Sequence, residues 1–194
     1  MERFNDMQQI KRHFFAMRNG IVADVLRKAG SPFRIIFGLT QPQITEVANA
    51  TGKNAELARR LWDNKTTRCS MLLAPMIMPE DAIEKAEALQ WCADAPVAEV
   101  TDVLCHRLLC RLPYASEMVE LLAEGDVSAR YTSLRLALNL VRRPDARLDG
   151  WERMARDEEV RGEAMTRMVA HQLADEIDFI RYDRRCQKYK NRGL

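Results

Sequence analysis

Ser128, Thr132, Arg135, Asn139 and Arg142 recur at alternating four- and three-residue spacing. At about 100° per residue they fall on one side of a single helix. Together they offer hydroxyl, amide and guanidinium donors, and no Asp or Glu stands between Val127 and Arg142. A solvated helix face ordinarily mixes acids with its Lys and Arg, so an acid-free donor strip points to an anionic partner, phosphate above all. The opposite side carries Val127, Tyr131, Leu134, Leu138 and Val141, an apolar stripe that would seat the helix on a core. A carboxylate candidate lies earlier. Asp102 stands at the edge of another stripe, Val97, Val100, Thr101, Leu104, Cys105, Leu108 and Leu112, with His106 one turn on. Taken alone, that pair reads as a surface ion pair.

The elements that position these residues are helical. The chain has 194 residues, eight Gly and seven Pro, and is 47% hydrophobic, which is enough to bury a core and suits one all-α domain over 1–194. Only Phe33–Phe37 is β-prone, and with no partner segment it reads as an extended connection. A net charge of +2 excludes a uniformly basic nucleic-acid binder, so any such signal must be local. Five cysteines without a CxxC pair read as reduced core residues of a cytoplasmic protein. The opening Met1-Glu-Arg-Phe-Asn-Asp lacks a leader pattern, no apolar run is long enough to span a membrane, and a monomer is expected.

From about residue 41 the chain divides into short helices. They are separated at Gly52–Asn54, Met78–Pro79, Asp94–Pro96, Leu112–Pro113, Gly125–Asp126, Arg143–Asp145 and around Val160–Gly162. Asn54 is placed to cap the helix after it, and Pro96 to sit in the first turn of the next. The segments 80–91 and 114–124 are acidic, whereas those that follow, 96–112 and 127–142, are neutral and then basic. The second-type helices start near 66, 96, 127 and 161, a period of about thirty to thirty-five residues that matches a two-helix repeat. The predicted fold is a right-handed α-α superhelix of HEAT-like repeats, a solenoid with the basic helices lining its concave side.

Three motifs carry a family resemblance: Phe37-Gly-Leu-Thr-Gln-Pro-Gln-Ile-Thr-Glu-Val-Ala48, Leu57-Ala-Arg-Arg-Leu-Trp62 and Arg68-Cys-Ser-Met-Leu-Leu-Ala74. With the blocks Val97–Leu109 and Tyr131–Leu140 they resemble, in order and spacing, the DNA alkylation repair family of HEAT-like repeat proteins. The resemblance spans roughly 35–142. It implies a protein that holds duplex DNA and, in active members, excises N3- or N7-alkylated purines with no metal or organic cofactor. The family's catalytic Asp falls on Asp102 and its DNA-anchoring Arg on Arg135. Arg142, Ser128, Thr132, Asn139 and Arg68 join the expected DNA contacts, with Tyr131 as the aromatic candidate for the lesion. Ala98 stands where active members carry Trp. The alternative is a non-catalytic DNA-binding or protein-interaction scaffold on the same fold.

The remaining candidates have plainer readings. Tyr131, Trp62, Trp91 and Trp151 sit at core positions, and Arg130 borders its stripe, covering apolar surface with its stem. His13 and His171 have no metal-ligand company. The tail at about 181–194 holds Arg181, Arg184, Arg185, Lys188, Lys190 and Arg192 with Tyr182 and Tyr189 interleaved, as a basic helix end would.

Overall fold

The computed structural model describes residues 6–161 and 163–192, with side chains as far as Gln187. The opening pentapeptide, Gly162, Gly193, Leu194 and the side chains of Lys188, Tyr189, Lys190 and Arg192, which belong to the expected basic tail, lie outside the described residues.

Among the described residues every regular element is helical: α1 Asp6–Ala16, α2 Gly20–Lys28, α3 Gln41–Thr51, α4 Ala55–Asp63, α5 Arg68–Ile77, α6 Lys85–Asp94, α7 Ala98–Arg107, α8 Ala115–Ala123, α9 Val127–Leu140, α10 Leu148–Arg161 and α11 Ala164–Arg192. Short 3-10 turns cover Glu80–Ala82 and Leu109–Arg111. The boundaries follow local chemistry. Asn54 accepts a hydrogen bond from Leu57 N at 3.0 Å and opens α4, and Asp126 opens α9 by accepting from Ala129 N at 2.9 Å. Pro96, expected in a first turn, instead precedes α7, whose cap is Val97 in extended conformation. The acidic segment 80–91 begins as a 3-10 turn and becomes α-helical only at Lys85. Phe33–Phe37 forms no strand; it bends at Arg34 and makes one parallel bridge from Ile35 to Thr67, in which Ile35 N donates to Thr66 O and Arg68 N to Ile35 O.

The chain forms two compact units. The first runs to Ala88 and takes in Ala95–Leu108; the second comprises Leu89–Asp94 and the chain from Leu109 on. In the first, α3, α5 and α7 pack side by side and α4 pairs with α5. Helix α5 is buried almost throughout, Met71, Leu72, Leu73 and Ile77 being fully enclosed. In the second, α8 pairs with α9, α10 with α11, and α9 packs on α11, with Leu134, Ala137 and Leu140 of α9 and Leu173 and Ile177 of α11 buried.

Within these units, ion pairs join residues about one repeat apart. Arg59 Nε meets Glu87 at 2.7 Å, 28 residues on, and Arg181 NH1 meets Glu152 at 2.6 Å, 29 residues back. Arg147 and Glu120 pair across 27 residues. The cysteines are free thiols. Burial holds Cys69 above its ordinary range and pushes Cys92 up to about 12, so both are inert core groups. No described helix is long and apolar enough to cross a membrane.

Candidate functional site

Helix α9 presents less open surface than a two-faced helix would. Tyr131, Thr132, Ser133, Leu134, Leu136, Ala137 and Leu140 are all buried, because α8 and α11 cover it from two directions. Thr132, expected on the donor strip, is 1% exposed, and its hydroxyl donates to the Ser128 carbonyl at 2.8 Å inside its own helix. Tyr131 is 5% exposed and belongs to the core, away from any open surface. What remains open is a narrow edge, Ser128 and Asn139 exposed and Arg135 half-buried, continued by exposed Arg142 in the turn just past the end of the helix. The Asn139 amide donates to the Arg135 carbonyl at 2.8 Å, which orders the last two turns of the edge.

The edge is acid-free only within α9. Helix α11 brings Glu176 against Arg142 at 2.5 Å, and the same guanidinium lies 5.8 Å from the centroid of the Phe179 ring. The pair is mostly solvent-facing at Arg142, which is 67% exposed. The Glu176 oxygen that faces Arg142 is buried, so an anion that recruits Arg142 would have to share it with Glu176.

Arg68 is not a surface contact. It is 5% exposed, Nε donates to Glu99 at 2.8 Å, NH2 makes a further short bond to Glu99, and NH1 donates to the Leu39 carbonyl at 2.9 Å. It therefore ties α5 to α7 and to the segment entering α3. Replacing Arg68 with Met is expected to cost about 2 kcal/mol by stranding the Leu39 carbonyl and the Glu99 charge. Thermal unfolding would show this as a fall of roughly 4–8 °C, with the protein's ligand affinity unchanged at a temperature where it is folded. Asp102 belongs to the same unit. It is half-buried on α7, flanked by buried Thr101 and Val103 and one turn before exposed His106.

A cluster that the sequence did not signal lies in the second unit. Glu158 is 3% exposed and accepts from Arg130 Nε at 3.1 Å, from Arg161 NH1 at 3.4 Å and from the Thr166 hydroxyl at 2.6 Å. Arg130, read as a snorkelling residue, also donates to Glu163 at 2.7 Å and to the Gly125 carbonyl at 3.0 Å. This network walls a concavity of about 360 Å³ whose lining includes Val119, Glu124, Trp151 and Asp157. Because the Glu158 carboxylate is fully engaged, it holds helices together and offers no reacting group. A signal was present: Leu148, Trp151, Ala155 and Glu158 share one stripe of α10, so a carboxylate occupies a core position. No described group of three His, Cys, Asp or Glu is arranged to hold a metal ion.

No known family profile matches the chain, and no curated protein does. A solved structure does. It is described as a new family of proteins related to the HEAT-like repeat DNA glycosylases with affinity for branched DNA structures. It superposes with a TM-score of 0.75 at 17% sequence identity, over 86% of this chain and 73% of that one. The fold is that of the HEAT-like repeats. Helices begin at Arg68, Ala98, Val127 and Ala164, close to the expected starts, and within the units α4 pairs with α5, α8 with α9 and α10 with α11.

Proposed function

We propose that this protein binds DNA, and that the exposed edge of α9 in the second unit grips the backbone. The carrying observation is Arg135 and Asn139 on α9, a helix without a carboxylate, with Arg142 in the turn that follows it, each a donor that can reach phosphate. The likeness in fold to a protein with affinity for branched DNA supports the reading. The test is fluorescence anisotropy with labelled duplex at several salt concentrations. Affinity should fall steeply with salt, and Arg135→Ala and Arg142→Ala should each weaken binding uniformly across sequences and lower the salt slope by about one. No measurable binding at low salt would overturn the proposal and leave a protein-interaction scaffold in its place.

A finer reading assigns excision of N3- or N7-alkylated purines, with Asp102 stabilising the oxocarbenium-like sugar. Its support is the half-exposed position of Asp102 on α7. Release of methylated purine from alkylated duplex, abolished by Asp102→Asn with DNA binding kept, is the expected result. Wild-type protein that binds but releases nothing would overturn it.

A further inference from the structure

Phe179 and Tyr182 are 56% and 63% exposed on α11. Three residues apart, they lie on one side of the helix. Packing does not require them there. The buried face of α11 is already complete with Val169, Ala170, Leu173, Ala174, Ile177 and Ile180. Arg142, from the α9 edge described above, approaches the Phe179 ring at 5.8 Å, so the aromatic pair and the donor edge form one continuous surface within the second unit.

The charges around the pair decide what it suits. Arg185, one turn after Tyr182 on the same side, is exposed. Of the nearby acids, Asp178 is engaged by Arg156 of α10 at 3.3 Å and Asp183 by the Gln187 amide at 2.8 Å, Glu176 shares Arg142, and exposed Asp175 lies 3.5 Å from His171. A protein helix docking here would want an unbroken apolar stripe, but exposed Gln172 and Asp175 separate Met168 from Phe179. Two open aromatic faces beside arginines instead match a nucleobase with its phosphate, since every base has a π-face and stacking is tolerant of sequence.

We propose that Phe179 and Tyr182 form a stacking platform for unpaired bases, so that the protein prefers DNA containing unstacked nucleotides to intact duplex. This rests on the DNA-binding reading and specifies the DNA structure. In intact duplex the bases are stacked on each other and present only edges, leaving the platform unused. At a gap or junction an unpaired base can lie on Phe179 while the adjoining phosphate meets Arg142.

The test compares two labelled DNAs of equal length, a full duplex and one with a three-nucleotide gap carrying 2-aminopurine. Wild-type protein should bind the gapped DNA about tenfold or more tightly and change the 2-aminopurine emission. Phe179→Leu with Tyr182→Leu keeps apolar bulk and removes the π-faces. That variant should bind both DNAs alike, with duplex affinity within about twofold of wild type and no emission change. Equal wild-type affinity for the two DNAs would overturn the platform while leaving DNA binding intact, whereas no affinity for either would overturn both. A wild-type dimer by light scattering that the double variant converts to monomer, with parallel loss on both DNAs, would show the pair to be a self-association surface and also overturn it.

Discussion

Gly38→Ala is expected to destabilise the protein by about 4 kcal/mol or more, with a melting temperature lower by roughly 10 °C. Gly38 has φ +77°, and a Cβ there would lie 2.0 Å from Asn19 O and 2.8 Å from Ala23 N. Both are backbone atoms of the start of α2, so no rotamer change relieves the contact. Helix α2 cannot simply retreat, because Asn19 N donates to Phe37 O at 2.8 Å and the Asn19 side chain caps the same helix by accepting from Val22 N. The left-handed backbone alone accounts for about 1–2 kcal/mol. Gly52 separates that contribution. It has φ +74° with open space where its Cβ would go and ψ −174°, so Gly52→Ala should cost only the conformational part, about 1–3 kcal/mol in this nearly glycine-only region. Denaturant unfolding of the two variants gives the comparison, and hydrogen exchange over α1 and α2 should show those helices loosening first in Gly38→Ala. Equal losses at the two positions would refute the close-approach explanation.

Glu158→Ala is the second large effect, expected at about 3 kcal/mol. The substitution removes the buried one of the two carboxylate partners of Arg130, whose side chain is 14% exposed, and one acceptor each from Arg161 and Thr166. The loss should appear as a fall of about 6–12 °C in melting temperature. A buried ion pair is weak support for stability in itself, since well-packed apolar residues often replace one at no cost. The double change Arg130→Met with Glu158→Leu should therefore recover much of the loss, and the double-mutant cycle should show strong coupling. A fall of under about 2 °C for Glu158→Ala would show that the network is not holding α9, α10 and α11 together.

Helix boundaries were legible in the sequence because they are set within a few residues: Gly52 and Asn54 end one helix and open the next, and Asp126 opens α9. The spacing of the later helix starts was legible for a similar reason, since the residues that separate the helices lie beside them in the chain. Residues whose environment is set by a neighbouring repeat were not. Arg68 at the head of a helix looks like a phosphate contact until Glu99, 31 residues on, closes over it. Thr132 sits on the donor side of an isolated helix, yet α9 is covered from more than one direction. The acid facing Arg142 comes from α11. Glu158, among Asp157 and Glu159, resembles a solvated acidic run and betrays itself only by its place on the apolar stripe. Helices α1 and α2 precede the readable repeats: α2 is fixed by the contact of Asn19 with Phe37 and Gly38, and α1 by Phe14 against Phe37 and by packing on α4, none of it visible in either segment alone.

The enclosed arginines bear on how a chain of similar hairpins finds its order. Apolar faces built of Leu, Ala and Val discriminate poorly between one neighbour and another, so slabs of this kind could dock out of turn. Arg68 requires the carboxylate 31 residues ahead, and Arg130 those 28 and 33 residues ahead. Any other docking would strand a guanidinium in a dry interface. Each such arginine acts as an address label, naming the hairpin that must come next, and a duplication or shuffling of repeats would be read as a wrong delivery.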